Sequence, residues 1–202
     1  MMISADAALL RLKEGNQRFR TGDMAVMRTN ANGPPESVQP QAPFAIVLGC
    51  SDSRVPTELI FGQGLGDLFV IRVVGNVVAP SQIGSVEFAA EKFGTRLVVV
   101  LGHSMCGAVQ ATLDQLKQHT DKRSPHLRAI VDRIRPGIEP LLKSAEEMTE
   151  DELLESAVRA NIDAAVDKLC SGSEIIESLV QQQGFRVIGA KYHLESGKVE
   201  FF

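Results

Sequence analysis

Three short apolar runs mark the first half of the chain: Phe44–Gly49, Leu68–Val74 and Leu97–Gly102. Each is mostly β-branched or aromatic, the pattern of strands covered on both faces and hence of a parallel sheet. The intervening segments change period. Thr57–Phe61 and Ser81–Phe93 suit helices, and Val86, Ala89, Ala90 and Phe93 are spaced to bury one side of the second. Gly107–Gln118 predicts another helix, starting directly after Cys106. Arg186–Tyr192 reads as a fourth inner strand. Lys198–Phe202 reads as a final edge strand, returned through a turn at Ser196-Gly197. The expected fold is α/β: a mostly parallel central sheet, four parallel strands plus an antiparallel edge strand, flanked by helices.

The remaining segments are helical or irregular. Ser4 can cap a helix running to about Arg20, with Leu9, Leu12 and Phe19 on one face. Thr21–Pro43 is polar and rich in Pro, Gly and Asn, so it reads as a long connecting loop. A loop of that length is unusual in a compact domain unless it covers something or wraps a partner. Pro136 and Pro140 are expected to break a helical region into shorter pieces. Thr149-Glu150-Asp151-Glu152 matches a capping box and opens a long helix to about Leu169. No internal repeat or domain boundary interrupts residues 1–202, which are read as a single domain.

Composition narrows the function classes. Hydrophobic content of 44% and charged content of 23% are those of an ordinary soluble protein. A net charge of −4 argues against a nucleic-acid-binding surface. Arg72 interrupts the longest apolar candidate, Leu68–Ala79, so no membrane span is expected. The N-terminus lacks a basic region followed by an apolar core, and the expected location is cytoplasmic. Three cysteines suit no disulfide framework in a chain this long. Cys170, near the end of a helical run, reads as a small apolar helix residue.

The candidate chemistry lies at two strand ends. Cys50-Ser51-Asp52-Ser53-Arg54 follows the first apolar run, and His103-Ser104-Met105-Cys106 follows the third. In parallel sheets, functional groups gather at the carboxyl ends of strands. Two thiols and an imidazole are ligand types that Zn²⁺ prefers, and three protein ligands leave a fourth tetrahedral position open, as in catalytic sites. A bidentate contact from Arg54 would orient the Asp52 carboxylate beside the metal. Asp52 could then accept a hydrogen bond from the attacking oxygen, or swing in and take the fourth position itself. Gly62-Gln63-Gly64-Leu65-Gly66 has the wrong spacing for a phosphate-binding turn and precedes a strand, so it reads as a tight turn.

CSDSRVP, GDLFVIRVVGN, GSVEFAAEKFG and LGHSMCGAV, in this order and spacing, closely resemble the β-class carbonic anhydrases. The N-terminal LLRLKEGNQRF and C-terminal GFRVIGAKYHLESGKVEFF resemble the family's ends, so the likeness spans nearly the whole chain. The resemblance implies one Zn²⁺ per chain on Cys50, His103 and Cys106, and a catalytic dyad of Asp52 and Arg54. It implies that Gln41 hydrogen-bonds substrate, that Phe69, Val74 and Phe88 line a small apolar pocket, and that the Gly107 backbone N–H contacts the bound ligand. Phe88 stands where the family commonly has tyrosine, and Met105 where smaller or polar residues are usual. The implied substrates are CO₂ and bicarbonate. The implied partner is a second copy of the chain, as homodimer or homotetramer, with some pocket residues crossing between subunits and the N-terminal helix extending onto the partner.

The expected activity is therefore zinc-dependent reversible hydration of CO₂ to bicarbonate and a proton. One alternative is a zinc hydrolase of a CO₂ analogue, carbon disulfide or carbonyl sulfide, on the same fold. Another is a non-catalytic zinc or thiol interaction module, which would have no need of Asp52 and Arg54. Nucleotide binding is disfavoured by the missing phosphate loop.

Overall fold

The apolar runs pair as a five-stranded sheet in a computed structural model that describes residues 3–23, 40–118 and 124–202. Strands β1 (Ala45–Gly49), β2 (Leu68–Arg72), β3 (Leu97–His103) and β4 (Arg186–Tyr192) are parallel. β5 (Val199–Phe201) closes one edge antiparallel to β4. The spatial order is β2-β1-β3-β4-β5. Every residue of β1 and β3 is buried, which is why these segments carry no polar alternation.

Seven α-helices surround the sheet among the described residues: α1 (Ala5–Thr21), α2 (Thr57–Ile60), α3 (Pro80–Phe93), α4 (Gly107–Gln118), α5 (Pro125–Ile138), α6 (Glu150–Ser171) and α7 (Glu174–Gln182). Side chains alternate across the buried strands and so serve two cores. Ile46, Leu48, Val98 and Val100 pack against α3–α7. Ala45, Val47, Val99 and Leu101 pack against α1, α2 and the β5 edge. Fully burying one such Val, Ile or Leu is worth about 1.5–3 kcal/mol, so the two layers fix the sheet firmly. The apolar face of α1 packs on its own sheet through Ala5, Ala8 and Leu12.

Three details depart from the sequence-based expectation. Pro136 does not break α5 but sits in its last turn, where its missing N–H forfeits only the bond to the carbonyl of exposed Asp132. The change of structure comes at Pro140, inside a 3₁₀ stretch over Glu139–Glu147. α7 is an additional helix, capped by Ser173, whose hydroxyl accepts from the Ile176 N–H. The second strand-like run ends at Arg72, because residues Val74–Asn76 form a 3₁₀ turn with left-handed Gly75 (φ 72°) and Asn76 (φ 46°). Most of the Thr21–Pro43 loop lies outside the described residues. No described helix is long and apolar enough to cross a membrane.

Candidate active site

Register brings the two chemical segments together. β1 and β3 are adjacent and parallel, with Gly49 beside Leu101, so Cys50 and His103 emerge at neighbouring carboxyl ends. Cys106 returns to the same place because Met105 adopts a left-handed conformation (φ 56°), folding the short turn back on itself. The ligand atoms of Cys50, His103 and Cys106 lie within 4.8 Å of one another, and all three residues are buried. They are the one such group among the described residues.

Each ligand is aimed by its surroundings. His103 Nδ1 lies 2.9 Å from the Ser104 carbonyl oxygen, so Nδ1–H donates and Nε2 is left with its lone pair. Nε2 is buried with no hydrogen-bond partner. Ser104 ties the turn to β4: its N–H donates to the Tyr192 carbonyl at 2.9 Å, and its hydroxyl accepts from the Leu194 N–H at 3.0 Å. Cys106 opens α4, and its carbonyl accepts from the Gln110 N–H. The Cys50 sulfur accepts the Gly75 N–H at 3.3 Å.

The two thiols share one proton when no metal is present. A hydrogen bond from Cys106 overcomes burial and pulls Cys50 from an ordinary 9.0 down to about 4. The same contact, reinforced by burial, pushes Cys106 far upward. Burial opposes a charge on His103, yet the neighbouring Cys50 sulfur outweighs it and raises the imidazole pKa. Two sulfurs and an orphaned ring nitrogen converging in a buried space fit a divalent metal of tetrahedral preference. Ligand atoms all within 4.8 Å of one another could be spanned by one such metal, whose bonds to nitrogen and sulfur would be about 2.0–2.3 Å.

Asp52 and Arg54 stand at the mouth. Arg54 donates three bonds to one carboxylate: Nε to Oδ1 at 3.0 Å, Nη2 to Oδ2 at 2.8 Å, and the backbone N–H to Oδ1 at 2.9 Å. The Arg54 side chain, followed by its backbone N–H, holds the Asp52 carboxyl well below the usual carboxylate range, against the opposing effect of burial. Oδ2 lies 3.8 Å from His103 Nε2, close to the three ligand atoms but not among them. Arg72 braces this loop from β2, donating to the Cys50 carbonyl at 3.2 Å and to the Asp52 carbonyl at 2.7 Å.

Not every residue named from the sequence reaches this centre. Gly107 follows Cys106 as the first residue of α4, and Val74 precedes Gly75 in the turn that supports Cys50. Gln41, Phe69 and Phe88 are not brought to the triad of their own chain. Phe69 is level with Ile46, four residues before Cys50, or roughly 13 Å along the strand. Its ring instead packs on Phe88 and Phe93, with centroids 6.2 and 6.0 Å away. Gln41 precedes β1 and lies beside Gly66, also at the amino end of the sheet. The direction of β1 and β2 separates these residues from the ligands. Reading the sequence missed Arg72, Ser104, Gly75 and its partner Asn161. Of these only Gly75, in a turn-forming Gly-Asn pair, carried a local signal.

Comparison with known proteins gives the family of the chain. Residues 45–199 match the family model described as carbonic anhydrase. The chain belongs to the β-carbonic anhydrase family. It is 37% identical over 194 residues to a carbonic anhydrase of Mycolicibacterium smegmatis, covering 96% of this chain and 91% of the relative. It is 33% identical to carbonic anhydrase 2 of Mycobacterium tuberculosis, covering 95% and 90%. Among solved structures, the β-carbonic anhydrase CafA of Aspergillus fumigatus superposes with a TM-score of 0.72 at 28% identity, over 98% of this chain and 89% of that one. A tetrameric β-carbonic anhydrase of Sordaria macrospora gives a TM-score of 0.72 at 26% identity, over 81% and 82%. The α/β sheet with one antiparallel edge is thus the architecture of this carbonic anhydrase family.

Proposed function

We propose that this chain catalyses the reversible hydration of CO₂ to bicarbonate and a proton, with one Zn²⁺ held by Cys50, His103 and Cys106. The observation that carries the reading is the buried, unpartnered His103 Nε2 facing two buried thiols beside a clamped carboxylate. Zinc, when bound, supplies a Lewis acid that makes water nucleophilic near neutral pH. Asp52 keeps its charge because Arg54 donates to both of its oxygens. As an acceptor it receives a hydrogen bond from the attacking oxygen and aims that oxygen's lone pair at the CO₂ carbon, while the proton released from water leaves to solvent. Arg54 also restrains Asp52 from joining the ligands. The Gly107 N–H, at the first turn of α4, is suited to donate to an oxygen of the product.

A second copy of the chain is the proposed partner, as homodimer or homotetramer. Gln41, Phe69 and Phe88 stand apart from their own triad, and Phe88 is 53% exposed, so they are available to a neighbour's pocket. The tetrameric relative from Sordaria macrospora supports such an assembly. Any extension of α1 onto the partner would use the face that carries exposed Leu10, since its other face is committed to the sheet.

Asp52→Asn tests the catalytic role. The variant should bind about one zinc per chain and lose 10²–10⁴-fold in CO₂ hydration, on the order of a lost general base, in a stopped-flow indicator assay. Full hydration activity in that variant would reject the role, and faster turnover of carbonyl sulfide than of CO₂ by the wild type would reject the substrate.

A further inference from the structure

Asn161 is a buried amide on the otherwise apolar inner face of α6. It is 3% exposed, and Ala157, Val158, Ile162 and Ala165 around it are buried as well. An amide in such a place is unfavourable unless its polar atoms are paired. Asn161 Nδ2 donates to the Gly75 carbonyl at 2.9 Å and lies 3.5 Å from Asn76 Oδ1. The N–H of the same glycine donates to the Cys50 sulfur.

Packing sets this contact. A Cβ on Gly102 would come within 2.5 Å of Ile162 Cδ1, so α6 rests directly on the strand residue preceding His103. That seating delivers the preceding helix residue, Asn161, to the turn at Gly75. The turn is crowded on its other sides: a Cβ on Gly75 would meet Ile134 Cδ1 at 2.9 Å and Ala108 Cβ at 3.1 Å. Asn76, left-handed without being glycine, carries a conformational cost that the surroundings must hold in place.

We propose that Asn161 is a positioning residue for the Cys50 ligand: by holding the Gly75 carbonyl it fixes the turn over residues 74–76 so that the Gly75 N–H points at the Cys50 sulfur. This rests on the metal-ligand role of Cys50 given above. An N–H donated to a thiolate withdraws charge from the sulfur, so a metal on that sulfur keeps more of its positive charge. Asn161 thereby acts on the metal without touching it, through one glycine.

The test uses cobalt(II) in place of zinc, because the thiolate-to-cobalt charge-transfer band reports electron donation by sulfur. In Asn161→Leu the band should move to lower energy, and zinc affinity measured against a competing chelator should fall about 10–100-fold. Leu169→Ala, two turns further along α6, should lower stability and leave both readings unchanged. An unshifted band with wild-type zinc affinity in folded Asn161→Leu would overturn the proposal, as would an equal shift in Leu169→Ala. If Asn161→Leu fails to fold, Asn161→Ala carries the same measurement. A wild type that shows the cobalt–thiolate band but no CO₂ hydration would sink the carbonic anhydrase reading and leave this inference standing. A wild type with no thiolate band would end both.

Discussion

Cys50 and Cys106 stand in one cluster, yet the chain supports them in opposite ways. Cys106 lies three residues after His103 and opens α4, so apart from Cys50 itself the backbone N–H groups beside its sulfur are those of Val109 and Ala108. Its backbone support is built by its immediate neighbours in sequence. Cys50 directly follows β1, and besides the nearby Asp52 N–H its sulfur takes the N–H of Gly75, 25 residues away. That donor is held in turn by Asn161, another 86 residues along. Local support comes with the helix itself. Remote support makes Cys50 depend on how α4, α5 and α6 pack around one glycine.

The comparison breaks first at the ligands themselves, where the largest effect is expected. Cys50→Ser and Cys106→Ser should each take zinc from about one per chain to none and abolish CO₂ hydration, because a tetrahedral site with two protein ligands holds zinc poorly. Metal analysis of the purified variants reads this directly. Zinc kept in full by either variant would remove that cysteine from the ligand set.

A smaller effect should separate the two sides. Gly75→Ala places a Cβ at positive φ against Ile134 and Ala108, and should cost about 2–4 kcal/mol in urea unfolding. Gly107→Ala, beside Cys106, meets nothing within 4 Å and lies in a helix. It should be neutral or stabilising by up to about 1 kcal/mol. Equal losses for both would mean that remote support of Cys50 is no more fragile than local support of Cys106.

The same division between local and remote decides what could be read from sequence. The inner strands were legible because burial on both faces leaves apolar runs, and the long helices because burial on one face leaves a period. The ligands were legible because metal chemistry uses few residue types and the strand ends place them. α7 was not, since its nine residues begin three positions after α6 ends and leave too short a pattern. Pro136 misled because its position within a helix, not its presence, decides the cost. Asn161 was invisible for a physical reason: a polar residue within a helix reads as solvent-facing, and only the packing of Ile162 on Gly102 turns it inward. Gln41, Phe69 and Phe88 were named by family resemblance alone, and strand direction carries them away from their own ligands.

The smallest expected effect belongs to the metal-free protein and again sets one thiol against the other. In the unfolded chain both thiols titrate near the ordinary 9.0. In the folded chain Cys50 is depressed to about 4, while Cys106 is raised far above 9.0, chiefly by its contact with Cys50. Between pH 4 and 9 the unfolded state therefore holds the extra proton at Cys50. The contribution of Cys50 to stability is present above 9 and is lost as pH falls through 4. Above pH 9 the order reverses: the unfolded chain releases the Cys106 proton and the folded chain keeps it. Stability should then fall with rising pH, by at most about 1.4 kcal/mol per pH unit. Burial raises the Tyr192 hydroxyl above its ordinary value and so adds a second loss of stability at alkaline pH, which makes the difference between the wild type and Cys106→Ser the informative quantity. Urea midpoints of the two metal-free proteins at pH 9 and pH 10 should diverge, the wild type losing more. Parallel curves would show that the two thiols do not share a proton, and would leave the contrast between them resting on backbone geometry alone.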